Sequence, residues 1–223
     1  LIVPAADVRG RISFAVLTIK PEEFRAILKQ LGHNGTSWLQ GSRRYADVTV
    51  KDATGVEVRI AVVRCVHQGN VAAQDVTRDV INDLDPKWIL VCGIAGAAPV
   101  SDFSLGDVVL GSQILDFTLE ELKQGQSSFS LQSKHIHAEV EDFLSSVPGL
   151  EVHFGDWNTL LEEDGEQRSV PAIGLAETDF YGPKKWKESV RKSLEARVSR
   201  KHDKPKIALG AIASSDKLLK DVE

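Results

Sequence analysis

Trp88-Ile-Leu-Val-Cys92 is an unbroken apolar run that gives way at once to small residues, Gly93-Ile-Ala-Gly-Ala-Ala98, and then to Pro99. It follows Asp85-Pro86, a pair that stops a helix. A run with no polar alternation predicts a strand buried on both faces, the signature of a parallel sheet. Small residues directly after such a strand let another body approach the backbone. In an open α/β sheet, ligands sit at the carboxyl ends of the strands. Taken alone, the segment fits a tight turn without a ligand equally well.

The neighbouring segments supply context. Ile12 to Thr18 reads as a first strand, and Pro21 opens a helix at its favoured first position. Phe24, Ile27, Leu28 and Leu31 then form one apolar stripe, and Gly32 ends the helix as a left-handed cap. Tyr45–Val50 and Val56–Cys65 predict a hairpin around Asp52-Ala-Thr-Gly55. Val71 to Leu84 predicts a helix whose stripe is Val76, Val80, Ile81 and Leu84.

In the second half, Leu105 to Leu115 predicts a strand entered through a Gly-Asp turn. Ser133 to Leu144 predicts a helix with Ile136, Val140, Phe143 and Leu144 inward, and Trp157 to Gln167 an acidic loop. Lys184 to Arg200 predicts a charged helix, and Lys206 to Ala213 a last strand. The alternation predicts an α/β fold with helices on both faces of a mixed sheet. No repeat or linker divides the 223 residues, so a single domain is expected.

Composition removes several classes. A net charge of −5 argues against a nucleic-acid binder. No apolar stretch reaches the length of a membrane span, so no membrane partner is expected. Residues Leu1 to Arg11 lack the order of a signal peptide, which predicts a cytoplasmic protein. The only cysteines, Cys65 and Cys92, lie in apolar runs and read as buried small hydrophobes. His135 and His137 are two residues apart and would face different sides of a helix, so no metal and no cofactor are expected.

Four loops share one form: Thr18–Glu23, His67–Val71, Gly93–Pro99 and Ala213–Asp216 each follow a predicted strand. If those strands are parallel, the loops converge on one edge. Glu23 would place a carboxylate at a helix start, where the dipole favours ionisation. Gly93–Gly96 offers bare backbone, and Leu218 and Leu219 would flank a flat ring. The set suits a ligand made of a sugar and a base.

Five segments in this order resemble the purine and uridine nucleoside phosphorylase superfamily. They are Leu17–Phe24, Gly69–Ala73, Val91–Gly96, Leu105–Val109 and Gly210–Asp221. The closer likeness is to the hydrolytic methylthioadenosine/S-adenosylhomocysteine nucleosidases and related defence-protein domains. The resemblance implies a three-layer α/β/α sandwich around a mixed, mostly parallel central sheet. It implies cleavage of the bond between a base and C1′ of ribose, with an adenine nucleoside or nucleotide as substrate. Glu23 matches the carboxylate that holds the nucleophilic water. Ile94, Ala95 and Gly96 match the loop past ribose and base. Leu218 and Leu219 match base-contacting positions. Asp216 matches an acidic position there, though capping the following helix is the better reading of its chemistry. A homodimer is implied in the same way.

Two departures qualify the likeness. The phosphorylases hold phosphate with arginines where this chain has Thr18-Ile-Lys-Pro21 and Val91, so water is the expected nucleophile. Lys20 and Arg25 keep phosphorolysis as an alternative. The ribose clamp and the acid that protonates the base would follow Glu223, so the domain is expected to be incomplete at its C-terminal end. An inactive nucleotide-sensing module is therefore a further alternative. Between Tyr181 and Lys206 the chain carries ten basic residues and few acids, either a solvated helix face or a phosphate-recognition surface for AMP or ATP.

Overall fold

The computed structural model describes residues 2–4, 8–96, 106–116, 120–123, 126–129, 132–158, 183–198 and 205–214. They form two compact units, Leu1–Ala95 and Gly96–Glu223.

The first unit runs β1 (Ile2–Pro4), β2 (Phe14–Thr18), α1 (Pro21–Gln30), β3 (Ser37–Gln40), β4 (Arg43–Lys51), β5 (Glu57–Arg64), α2 (Asn70–Leu84) and β6 (Trp88–Val91). Its sheet has the order β1-β3-β4-β5-β2-β6. β5, β2 and β6 are mutually parallel, whereas β3, β4 and β5 are joined antiparallel. The carboxyl ends of β2, β5 and β6 therefore share one edge.

Strand alternation divides the core in two. Ala15, Leu17, Tyr45, Ala61 and Val63 pack with Val76, Val80 and Leu84 of α2. Val16, Ala46, Val48, Ile60 and Val62 pack with Phe24, Ile27, Leu28 and Leu31 of α1. Each such aliphatic side chain taken from water is worth about 1.5–3 kcal/mol. Gly32 takes φ +65° just after α1, as a left-handed cap requires. Asp85 does the same for α2 at φ 49°, directly before Pro86.

Three expectations fail in this unit. Ile81 is 48% exposed, because Val76, Val80 and Leu84, with Ala72, make the α2 contact. Cys92 is exposed, although Cys65 is buried. Among the described residues, the strand expected to be buried on both faces lies at the end of its sheet order, paired with β2. Trp88, Leu90 and Val91 are 39%, 46% and 73% exposed.

The second unit contains β7 (Val108–Asp116), β8 (Glu120–Lys123), β9 (Gln126–Phe129), β10 (Gln132–His135), α3 (Ala138–Leu150), a 3-10 turn (Glu151–His153), α4 (Lys184–Val198) and β11 (Ile207–Ser214). β7 is the centre of a sheet β10-β7-β11, parallel to β11 and antiparallel to β10, and β8-β9 is a separate hairpin. The described strands thus lie in three sheets, and parallel pairings do not outnumber antiparallel ones.

The helix expected from Ser133 begins only at Ala138. Ser133, Lys134 and His135 extend instead along Leu115, Ile114 and Gln113, a long-range pairing that overrides local pattern. Val147 is the buried residue of α3, and Phe143, expected inward, is 56% exposed. Of the expected acidic loop, only Trp157 and Asn158 are among the described residues. No helix among the described residues is long and apolar enough to cross a membrane.

Candidate active site

Glu23 is the third residue of α1 and one of only two buried polar side chains among the described residues, 8% exposed. Its position follows from local sequence. Pro21 starts the helix, so the N–H groups of Ile19 and Lys20 are left without helical acceptors. Glu23 Oε2 takes both, at 2.9 Å from Ile19 N and 2.7 Å from Lys20 N. This is half of a capping box. Lys20, at the cap position, has no side-chain acceptor with which to return the bond.

The other oxygen reaches out of the helix. Glu23 Oε1 accepts the backbone N–H of Ile94 at 2.9 Å. β2 carries α1 at its end, β6 carries Gly93 and Ile94 at its end, and the two strands are parallel neighbours. Cys92 N donates to Leu17 O at 2.9 Å, which continues the ladder one residue past β6. Gly93 lies closest: a β-carbon built there would come within 3.0 Å of Oε1. Only a residue without a side chain leaves the carboxylate undisturbed.

Burial pushes the pKa of Glu23 up, but the N–H groups of Ile94, Lys20 and Ile19, aided by the charge of Lys20, outweigh it. The carboxyl is held below its ordinary range and is ionised at neutral pH. A carboxylate has about four acceptor positions. Three are occupied, and the remaining one is on Oε1. Cys92 responds in the opposite sense. Although the residue is exposed overall, desolvation of its thiol and the Glu23 charge raise its pKa, so it stays protonated.

The structure brings Glu23, and not Glu22, to this place. Glu22 is turned to solvent, 3.6 Å from Arg25. The loop after β5 ends at the same edge, where Cys65 Sγ donates to His67 O at 3.0 Å and Gly69, at φ +111°, leads into α2. Ile94 is 75% exposed and Ala95 and Gly96 are exposed as well. Asp216, Leu218 and Leu219, with residues 97–105, lie outside the described residues. The backbone donors Ile19 and Lys20 are additions to the sequence-derived set, and Gly93, expected only to offer bare backbone to a ligand, lies against Glu23. A Glu three residues after the cap position Lys20, behind Pro21, is the signal in the sequence for these two donors.

No protein-family model matches this sequence, and no curated protein matches it significantly. Solved structures do match. Futalosine hydrolase of Helicobacter pylori superposes with a TM-score of 0.52 at 14% identity, over 94% of this chain and 69% of its own. The methylthioadenosine/S-adenosylhomocysteine nucleosidase of the same organism, solved with butyl-thio-DADMe-Immucillin-A, gives 0.54 at 14% identity, over 94% and 66%. The corresponding nucleosidase of Campylobacter jejuni gives 0.52 at 15%, over 94% and 67%. The chain shares its fold with these hydrolases and nucleosidases. This chain spans about two thirds of the length of those nucleosidases. In this fold, Glu23 stands where a parallel strand end, a helix start and a glycine-bearing loop meet.

Proposed function

We propose that the chain hydrolyses the N-glycosidic bond of a purine nucleoside or nucleotide, with adenine as the base released and water as the nucleophile. One observation carries the reading: an ionised carboxylate clamped by three backbone N–H groups, with one acceptor position open beside a glycine. The nucleosidase fold supports the reaction class.

The chemistry follows from glycoside cleavage. The base leaves with the bonding electrons and positive charge grows on the sugar. A fixed anion beneath the sugar stabilises that charge more than the ground state. The open lone pair on Oε1 accepts one hydrogen of a water and aims its oxygen at C1′. Because the clamp lowers its basicity, Glu23 takes the proton late, as the new C–O bond acidifies the water. Ile94, Ala95 and Gly96 run past the ribose and base, and Leu218, Leu219 and Asp216 belong to the base side, as the resemblance implies.

The remaining features rest on the same likeness. We read the chain as a single domain of three-layer architecture, acting in the cytoplasm as a homodimer on a small-molecule substrate. The basic face of α4, with Lys184, Lys185, Lys187, Arg191 and Lys192, supports a phosphorylated substrate such as AMP or ATP.

Release of free adenine in phosphate-free buffer is the test. A hydrolase liberates it, a phosphorylase does so only on adding phosphate, and a sensing module does neither. Adenine release that needs phosphate overturns the hydrolytic reading.

A further inference from the structure

The face of the first sheet beneath α1 carries a cross-strand row with no part in the Glu23 chemistry. Thr18 on β2 lies opposite Arg64 on β5. The β4–β5 ladder ends at the pair Ala46 and Val62, and Arg44 and Arg64 each lie two residues beyond that pair and line the same cleft. Side chains alternate along a strand, so Arg44 and Arg64 share the face of Ala46 and Val62, which α1 covers. Two like charges lining one cleft repel. Neither guanidinium has a hydrogen bond or ion pair among the described residues.

Both arginines line a cleft of about 440 Å³ with Phe24, Leu28, His33 and Ser42. No aspartate or glutamate lines it, in a chain whose net charge is −5. A third arginine on the wall, Arg43, is already neutralised by Asp79 at 2.7 Å. His33 is held by its own loop. Its Nδ1 accepts Gly35 N–H at 3.3 Å, which leaves Nε2–H to donate to Thr36 O at 2.7 Å. The next member of the row, Thr18, is fully buried, and its hydroxyl has no hydrogen-bond partner.

We propose that this cleft binds a phosphate group between the Arg44 and Arg64 guanidiniums. Each guanidinium presents a planar fork of donors that matches a phosphate's oxygens. A phosphate near neutral pH carries up to two negative charges, which balances the two arginines and turns their mutual repulsion into a shared attraction. A monovalent carboxylate would balance only one. Phe24 and Leu28 exclude water from one side, which strengthens the attraction. The ligand is either the free ion or the phosphoryl group of a nucleotide, and the site stands whether or not Glu23 hydrolyses a base.

The test is thermal unfolding of the whole chain in phosphate-free buffer, then with inorganic phosphate, AMP or adenosine, at ionic strength held constant with chloride. Inorganic phosphate is expected to raise the melting temperature beyond chloride. R44Q and R64Q are each expected to weaken apparent phosphate affinity roughly tenfold or more. In phosphate-free buffer R64Q is expected to melt no lower than the unsubstituted chain, because it removes a repulsion. AMP acting at lower concentration than phosphate, through both arginines, assigns the site to a nucleotide; equal action assigns it to the free ion. A phosphate response no larger than chloride's, one that survives the double substitution, or an R64Q chain that melts lower without phosphate, overturns the proposal. E23Q must leave the phosphate response intact, which separates this outcome from failure of the hydrolase reading.

Discussion

Glu23 Oε1 and the backbone nitrogen of Ile94 are 2.9 Å apart, although 71 residues separate them in sequence. The bond ties the first turn of α1 to the loop beyond β6 and fixes the direction of the open lone pair on Oε1. It makes Glu23 both an anchor and the proposed water-holding group, and the two roles have different consequences on substitution.

In E23Q, an amide replaces a pure acceptor. One end now carries N–H donors, which face at least one backbone N–H that the carboxylate accepted. Turnover is expected to fall by about 10²–10⁴ with substrate affinity largely kept. Stability is expected to fall by about 1–3 kcal/mol from the orphaned donor. Adenine release and calorimetric binding measure the first pair, and denaturant unfolding the third. Retained turnover removes Glu23 from its catalytic role.

Gly93→Ala tests the close approach. The new methyl comes 3.0 Å from Oε1 and 3.3 Å from the carboxyl carbon, and three hydrogen bonds keep the carboxylate from yielding. The strain is expected to cost about 1–3 kcal/mol. Displacing the carboxylate lowers turnover by about 10²-fold, as misplacement of a reacting group does. Unchanged kinetics show that Oε1 does not need its present position.

Acid sensitivity follows from the lowered pKa of Glu23. A carboxyl whose folded pKa lies below its unfolded one adds stability that is fully present above the unfolded value. That stability is lost as pH falls from the ordinary value of 4.5 through the folded pKa. Unfolding free energy measured at steps from neutral pH down through this window is therefore expected to fall less steeply in E23Q than in the parent. Parallel curves contradict the assignment.

Thr18 gives a prediction of opposite sign. Its hydroxyl is buried without a partner, and valine has nearly the same shape. Thr18→Val in phosphate-free buffer is expected to stabilise the chain by about 1 kcal/mol, the desolvation penalty no longer incurred. A drop in melting temperature shows that the hydroxyl has a partner in solution.

Local pattern made much of the first unit legible. Pro21 and the stripe Phe24, Ile27, Leu28 and Leu31 mark α1, and Asp52 to Gly55 marks the turn of the β4–β5 hairpin. It misled where pairing partner or layer mattered. Ser133 to His135 falls in a segment of helical spacing yet extends along β7, and Trp88 to Val91 has the composition of an interior strand yet ends the order of the described strands in its sheet. Apolar composition records that a segment is to be covered, not which neighbour covers it.

By itself the sequence determined an α/β chain with a carboxylate in the first turn of a helix, because helix starts, apolar periodicity and turn residues act over a few neighbouring positions. Only the tertiary structure decided that Glu23 meets Ile94 and that Arg44 and Arg64 line one cleft. Both depend on strand order and register, which join residues far apart in the chain and leave no trace in local spacing.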